Sequence, residues 1–354
     1  MRPSIIREHV DLSQANTLAV SSCARYFARC PDRESLFAVL RWATSQGVAV
    51  YVLGEGSNAL LPERIEGLVI QLGLAECEVL SRDDQKVLIR VAAGHNWHEF
   101  VLESLEREAY GLENLALIPG SVGAAPIQNI GAYGVELSRF VDEVEVLRTD
   151  TLQIMRLQRD DCQFGYRDSI FKQEAGRHLL VLSVLFSLLA KPRLVLDYPA
   201  LRSTLERDHN GECLSGPSEL SPLQLAEAVM QIRSAKLPDP KQIPNVGSFF
   251  KNPLVPAAHY GELRLSFPEM PGFESDSGAR VKIPAAWLID AAGWKQKEHA
   301  AVRVHPHQAL VLTNPERRPL TEVLAVARAI QEDIQGRFGI ALEIEPQFLR
   351  ALLP

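Results

Sequence analysis

The stretch Gly111-Leu112-Glu113-Asn114-Leu115-Ala116-Leu117-Ile118-Pro119-Gly120-Ser121-Val122-Gly123-Ala124-Ala125-Pro126-Ile127-Gln128-Asn129-Ile130-Gly131-Ala132-Tyr133-Gly134 has small residues where any larger side chain would hold a ligand away from the main chain. Such spacing exposes backbone N–H groups, and these bind a pyrophosphate without a cluster of cationic side chains. A run of tight turns would account for the Gly and Pro, but not for the amides of Gln128 and Asn129 among them. The stretch reads as a cofactor-gripping loop. By itself it does not distinguish a flavin from a nicotinamide dinucleotide.

Upstream, Asp32 can cap a helix whose apolar side carries Leu36, Leu40 and Ala43, with Gly47 as its stop. The β-branched run Val48–Leu53 then reads as a strand that empties into Gly54-Glu55-Gly56-Ser57-Asn58. With Ala59 this fits the permissive dinucleotide fingerprint. That fingerprint needs a helix to start at the turn, whereas Leu60-Leu61-Pro62-Glu63-Arg64 and the strand-like Leu68-Val69-Ile70 do not continue as one. A nicotinamide-binding Rossmann domain is therefore the weaker alternative. Val87–Val91 reads as a strand, and Asn96 and Glu99 stand at capping-box distance before a helix.

Downstream, Glu143–Leu147 and Leu179–Leu189 read as strands, the second too short and too interrupted by Ser183 and Ser187 for a membrane span. The polar segment Arg202–Ser221 marks a domain boundary. Ser221-Pro222-Leu223-Gln224 restarts order with a capping box and Pro at the first helical position. An amphipathic helix follows near the C-terminus, with Leu320, Leu324, Ala327, Ile330, Ile334 and Phe338 at helical spacing and Gly339 as its stop. Ala341–Leu349 reads as a closing strand.

At 354 residues the chain is long enough for two or three domains. Its 46% hydrophobic and 23% charged residues are those of a globular protein. The net charge of −7 argues against a nucleic-acid partner. Met1–His9 lacks the apolar core of a secretory signal, so a cytoplasmic location is expected. Cys23, Cys30, Cys77, Cys162 and Cys213 form no C-x-x-C pair, and reduced thiols are expected. The pairs His95/His98 and His305/His307 lack a carboxylate or Cys at ligand spacing, so no metal site is assigned.

Five segments, in this order, carry a resemblance: Leu53–Asn58, Gly111–Leu137, Phe164-Gly165-Tyr166-Arg167-Asp168-Ser169-Ile170-Phe171-Lys172, Lys236-Leu237-Pro238-Asp239-Pro240 and Gly247-Ser248-Phe249-Phe250-Lys251-Asn252-Pro253. Together they resemble the MurB family, the UDP-N-acetylenolpyruvoylglucosamine reductases, and most of all its type I branch with a Tyr-containing insertion near Tyr198. The resemblance runs from about Asn16 to the last strand. It implies a mixed α/β and α+β protein: an FAD-binding region of the vanillyl-alcohol-oxidase type over residues 1–203, in two α/β subdomains of about 1–60 and 61–203. A linker over 204–220 and an α+β substrate domain over 221–354 follow, with the last strand returning to the FAD region. The implied reaction, in peptidoglycan precursor synthesis, uses NADPH to reduce FAD, and the flavin then passes hydride to the enolpyruvyl ether of UDP-N-acetylglucosamine. A monomer without nucleic-acid or membrane partners is expected. The competing readings are a sugar- or alcohol-oxidising flavoprotein of the same fold and a non-catalytic nucleotide-sugar sensor.

The family match makes Gly54, Glu55, Gly56, Ser57, Asn58, Pro119, Gly120, Ser121, Gly123, Ala124, Gln128, Asn129, Gly131, Ala132, Tyr133 and Gly134 the cofactor-binding set. Hydride addition to a vinyl CH2 leaves negative charge on the adjacent carbon and its carboxylate, which calls for an electrophilic clamp and a proton donor. Arg167 suits the clamp, because a guanidinium stays charged and grips a carboxylate with two N–H groups. The match makes Ser248 the proton donor and Glu345 the carboxyl beside the Arg. The local sequence Glu343-Ile344-Glu345-Pro346-Gln347-Phe348 departs from the usual Pro-Glu-Val, and strand alternation puts Glu343 on the same side as Glu345, so both stay candidates. Lys236 matches a ligand of the substrate diphosphate, and Tyr166, Tyr198, Asn252 and Gln308 match further substrate contacts.

Overall fold

The computed structural model describes residues 1–205, 220–274, 278–296 and 301–353. Two five-stranded sheets dominate the N-terminal half. The first has the order Arg7–Asp11, Cys23–Cys30, Arg64–Leu72, Val50–Val52, Ala351–Leu353, with parallel pairing around Arg64–Leu72 and antiparallel outer pairs. The second is antiparallel throughout, in the order Ile154–Gln158, Val141–Arg148, Leu179–Leu189, Lys86–Ala92, Cys77–Arg82.

Strand alternation distributes the cores. On Arg64–Leu72, Leu68 and Ile70 face the helix Arg33–Gln46, where they meet Leu36, Leu40 and Ala43 together with Leu147, Leu180 and Leu182 of the second sheet. Ile65 and Val69 face the opposite way, into a core shared with Phe249, Phe250, Leu288, Ile330 and Phe338. A strand buried on both faces is a near-continuous apolar run, which Leu68-Val69-Ile70 is. The second sheet turns Val184, Phe186 and Leu188 toward Trp97, Phe100 and the glycine loop's own Val122 and Ala125.

The helix ends follow their capping residues. The Asp32 carboxylate accepts from Ser35 N (2.7 Å), and Gly47 closes the helix with φ 61°. Ser221 and Gln224 form a reciprocal capping box on the helix Pro222–Lys236. Leu320–Phe338 ends at Gly339 with φ 66°.

Four expectations are corrected. The expected strand Val48–Leu53 is confined to Val50–Val52. The division expected near residue 60 falls inside the first sheet, because Arg64–Leu72 pairs with both Cys23–Cys30 and Val50–Val52; the second sheet starts at Cys77. The helix Pro222–Lys236, assigned to the substrate domain by a boundary at 221, buries Leu225, Ala226, Val229 and Ile232 in the second sheet's core. Ala341–Leu349 is not one strand: Ile344 bridges Phe250, Gln347–Phe348 pairs with Ala59–Leu60, and Ala351–Leu353 joins Val50–Val52. Pro346 has no N–H to give a ladder, so the pairing breaks there. Most of the 204–220 linker, and Cys213 with it, lies outside the described residues. Among the described residues no helix is long and apolar enough to cross a membrane.

Leu68 is fully buried where helix and sheet meet. Leu68→Ala is expected to lower the unfolding free energy by about 2–5 kcal/mol, measured as a fall in the urea midpoint at unchanged slope.

Candidate active site

Between the two sheets and the C-terminal layer lies a cavity of about 620 Å3, within the range of about 300–1,000 Å3 common for cofactor and ligand sites. Its wall is built from the turn after Val50–Val52, the glycine loop, the loop ahead of Leu179–Leu189 and the C-terminal segment from Glu345 to Leu352.

In the turn Gly54–Asn58, no acceptor among the described residues takes any of the five backbone N–H groups. The carbonyls and side chains of the same turn are occupied. Gln71 Nε2 donates to Gly54 O (3.0 Å), Thr17 N to Gly56 O (3.2 Å) and Gln347 N to Asn58 O (2.9 Å). The Glu55 carboxylate accepts from Asn96 Nδ2 (2.7 Å) and from Gly120 N (3.0 Å), and Asn58 Nδ2 donates to Gln128 Oε1 (2.8 Å). Glu55 thus ties the two loops together. At Gly56, φ is 67° and a Cβ would stand 2.1 Å from Ala15 O; at Gly123 a Cβ would stand 2.5 Å from that of Ala93. Both positions need glycine for a close backbone approach.

Of the sixteen expected cofactor residues, Gly54–Asn58, Pro119, Gly120, Ser121, Gly123, Ala124, Gln128 and Gly131 line the cavity, and Asn129, Ala132, Tyr133 and Gly134 do not. Asn129 is buried, donating to Glu136 Oε2 (3.1 Å) and Gly165 O (3.0 Å) and accepting from Ser138 N (2.9 Å). It staples the glycine loop to the segment that carries Arg167. Tyr133 and Gly134 make the turn of a two-residue hairpin, with φ 49° and 83°.

Arg167, Ser248 and Glu345 line the same cavity. Arg167 Nε donates to Glu345 Oε1 (3.1 Å), and its Nη2 donates to Gly131 O (2.8 Å). Burial raises the Glu345 carboxyl above the ordinary range, with Arg167, Lys251 and Lys172 pulling the other way. Glu343 is mostly exposed, pairs with Lys251 and lies outside the cavity wall. Both carboxyls sit near Lys251, but only Glu345 reaches the cavity.

The expected substrate residues Tyr166, Tyr198, Lys236, Asn252 and Gln308 are not in the cavity wall. The Arg167 guanidinium and Lys282 Nζ lie over the Tyr166 ring, 5.6 and 5.3 Å from its centroid, and burial raises the Tyr166 hydroxyl. Asn252 Oδ1 accepts from Ala285 N (2.9 Å). Tyr198 meets Tyr133 edge-on at 5.1 Å and is otherwise exposed. Lys236 is exposed at its helix end, and Gln308 begins a strand. His95 is taken by Glu103 (3.1 Å), and His98 Nδ1 accepts from Leu117 N (3.1 Å).

The sequence reading missed most of the cavity's charge. Arg29, Lys172, Arg177, Arg233 and Arg350 join Arg167 in the wall, so six cations face the two carboxyls of Glu55 and Glu345 in a chain of net charge −7. Arg233 carried a readable signal: it lies one turn beyond Val229 on the helix's buried side, where a cation needs a partner. Its Nε donates to Leu117 O (3.2 Å). Arg177 Nε is buried with no hydrogen-bond partner among the described residues. The N–H groups of the turn, the Arg177 Nε and glycines that admit backbone contact suit a pyrophosphate-bearing dinucleotide.

The fold and this cavity define an FAD-binding α/β protein, and residues 24–154 match the FAD binding domain family. Residues 239–349 match the C-terminal domain of UDP-N-acetylenolpyruvoylglucosamine reductase. The chain is 42% identical over 341 residues to the UDP-N-acetylenolpyruvoylglucosamine reductase of Pseudomonas aeruginosa, covering 96% of this chain and 98% of the relative. It is 41% identical over 344 residues to that of Chromobacterium violaceum, covering 97% and 98%. The crystal structure of the Thermus caldophilus reductase shares the fold at a TM-score of 0.66 and 22% identity, over 97% of this chain and 99% of that one. The chain belongs to the UDP-N-acetylenolpyruvoylglucosamine reductase family.

Gly56→Ala forces a methyl onto the Ala15 carbonyl at a left-handed position. It is expected to weaken FAD binding at least about tenfold, equivalent to about 1.4 kcal/mol, in a flavin-fluorescence titration of the apoprotein; unchanged affinity would remove the turn from the cofactor site.

Proposed function

We propose that this chain reduces UDP-N-acetylglucosamine enolpyruvate to UDP-N-acetylmuramate with NADPH as donor, and that Arg167, Ser248 and Glu345 are its catalytic groups. The supporting observation is that these three, from distant parts of the chain, line one cavity with the five acceptor-free N–H groups of Gly54–Asn58. Those N–H groups, with Ser57, Ser121 and Gln128, suit the pyrophosphate of FAD. Bound FAD supplies hydride transfer from NADPH to the vinyl carbon of the substrate.

The protein's own part is electrostatic and proton-handling. Arg167, held in place by Gly131 O and Glu345, presents a permanent positive charge to the substrate carboxylate as charge develops there. Glu345, whose burial favours the neutral acid, can donate a hydrogen bond to the same carboxylate without adding repulsion. Ser248 supplies the proton to the carbon next to the carboxylate. A Ser hydroxyl is a weak acid, so transfer depends on the charge that Arg167 stabilises and on exclusion of water. The substrate domain then corresponds to about residues 239–349, with Tyr166, next to Arg167, and Asn252, hydrogen-bonded to Tyr166, as substrate contacts. The reading extends to a monomer acting in the cytoplasm, where the free thiols Cys30 and Cys162 fit a reducing compartment.

The direct test is optical. Purified protein should be yellow, bleach anaerobically with NADPH and recover on adding the enolpyruvyl substrate; a colourless preparation that FAD does not reconstitute overturns the assignment. Ser248→Ala should bleach within about threefold of the wild-type rate but reoxidise about 100- to 10,000-fold more slowly. Equal loss in both half-reactions would make Ser248 structural. Glu345→Gln should slow reoxidation about 100-fold. Glu343→Gln, which removes an ion pair worth about 0–1 kcal/mol, should stay within about twofold. Because the Glu345 carboxyl is raised, its proton persists above the ordinary carboxylate range, and the reoxidation rate should fall as pH rises through that raised value. Glu345→Gln should abolish this limb; a limb that persists assigns it to another group.

A further inference from the structure

Lys172 closes the segment that carries Arg167 and has no role in the mechanism above. Arg167 has φ 53° in a turn whose ends bond each other, Gly165 N to Asp168 O (2.9 Å) and Asp168 N to Gly165 O (3.3 Å). A bulky non-glycine residue in the left-handed region persists only where its surroundings over-determine it. One restraint is direct: Lys172 Nζ donates to Arg167 O (2.8 Å). The lysine is itself anchored, because it ends a short turn at Ser169, whose Oγ donates to Ile127 O of the glycine loop (2.6 Å). Lys172 is half-buried in the cavity wall.

We propose that Lys172 is a positioning residue for the reduction of substrate: its ammonium fixes the Arg167 carbonyl in the left-handed turn, aiming the guanidinium, and sets a positive charge facing Glu345. The proposal rests on the catalytic roles given above to Arg167 and Glu345. Around Glu345 the charged and titratable groups are Arg167, Lys172, Lys251 and Tyr166; Lys172 in turn faces Lys251, Asp168 and Glu343. Burial and Lys251 push the Lys172 ammonium down, which makes its bond to the carbonyl the compensation for holding charge there. Removing that charge leaves Glu345 with fewer cations opposing its protonation.

The test uses Lys172→Met, Lys172→Gln and Lys172→Arg in the full chain. In the apoprotein, 13C-labelled Glu carboxyls are titrated by NMR, the Glu345 signal being the one missing in Glu345→Gln. Lys172→Met and Lys172→Gln should raise its midpoint by about one pH unit, and Lys172→Arg should leave it within about 0.3 unit. In the FAD-loaded enzyme, Lys172→Met should slow substrate-dependent flavin reoxidation about tenfold at saturation. Lys172→Gln, which keeps an N–H donor on a side chain one bond shorter, should lose less, and FAD affinity should change less than about twofold in all three. An unmoved Glu345 midpoint overturns the proposal. So does weakened FAD binding with normal reoxidation of the loaded fraction, which would make Lys172 a cofactor ligand. If the wild type fails to reoxidise with the enolpyruvyl substrate, the catalytic reading falls, while the apoprotein titration still decides whether Lys172 governs Glu345.

Discussion

The turn Gly54–Asn58 lines the cavity with N–H groups that have no acceptor among the described residues, yet it must stay in one conformation. The interior of a helix or sheet cannot provide this, because it consumes the donors. The neighbouring architecture holds the turn by everything except those donors. Gln71, Thr17 and Gln347 take its carbonyls, Glu55 spans Asn96 and Gly120, and Asn58 reaches Gln128. The tethers come from the first sheet, the glycine loop, the following helix cap and the C-terminal segment. The parallel strand Arg64–Leu72, packed on both faces, supplies the rigid base on which they converge.

The same economy of partners shapes the electrostatics. An acidic chain gathers six cations on one cavity wall while committing Glu55 to backbone and amide partners and burying Glu345 so that neutrality is favoured. Arg167 draws on the C-terminal segment through Glu345, on the glycine loop through Gly131 and on its own turn through Lys172. On the proposed reading, a guanidinium held by two hydrogen bonds, on a backbone fixed by a third, loses little freedom when a carboxylate arrives, and that preorganisation is where an electrostatic catalyst gains its rate.

Local chemistry was legible wherever one short stretch decided it. The caps at Asp32, Asn96 and Ser221, the stops at Gly47 and Gly339 and the strand Leu179–Leu189 needed no distant partner. The two glycine turns were legible because only residues without bulk permit such backbone approach. What packs against a residue was not legible. Asn129 stands among cavity-lining neighbours yet spends its amide on Glu136 and Gly165, and Lys236 stays exposed while Arg233, three residues earlier, enters the cavity wall.

The sequence by itself carried the resemblance to the family and, through it, the two loops proposed to hold the cofactor and the candidate trio of Arg167, Ser248 and Glu345 with Glu343 as a rival, because the motifs that carry the resemblance are short local stretches. Only the tertiary structure decided which carboxyl faces the cavity, where the sheets divide, that Pro222–Lys236 packs with the N-terminal half, and that Lys172 grips the Arg167 carbonyl. The reason is sequence separation. The Arg167–Glu345 contact joins residues 178 positions apart, and no local pattern encodes a contact whose partners meet only when two sheets and a C-terminal layer close around one space.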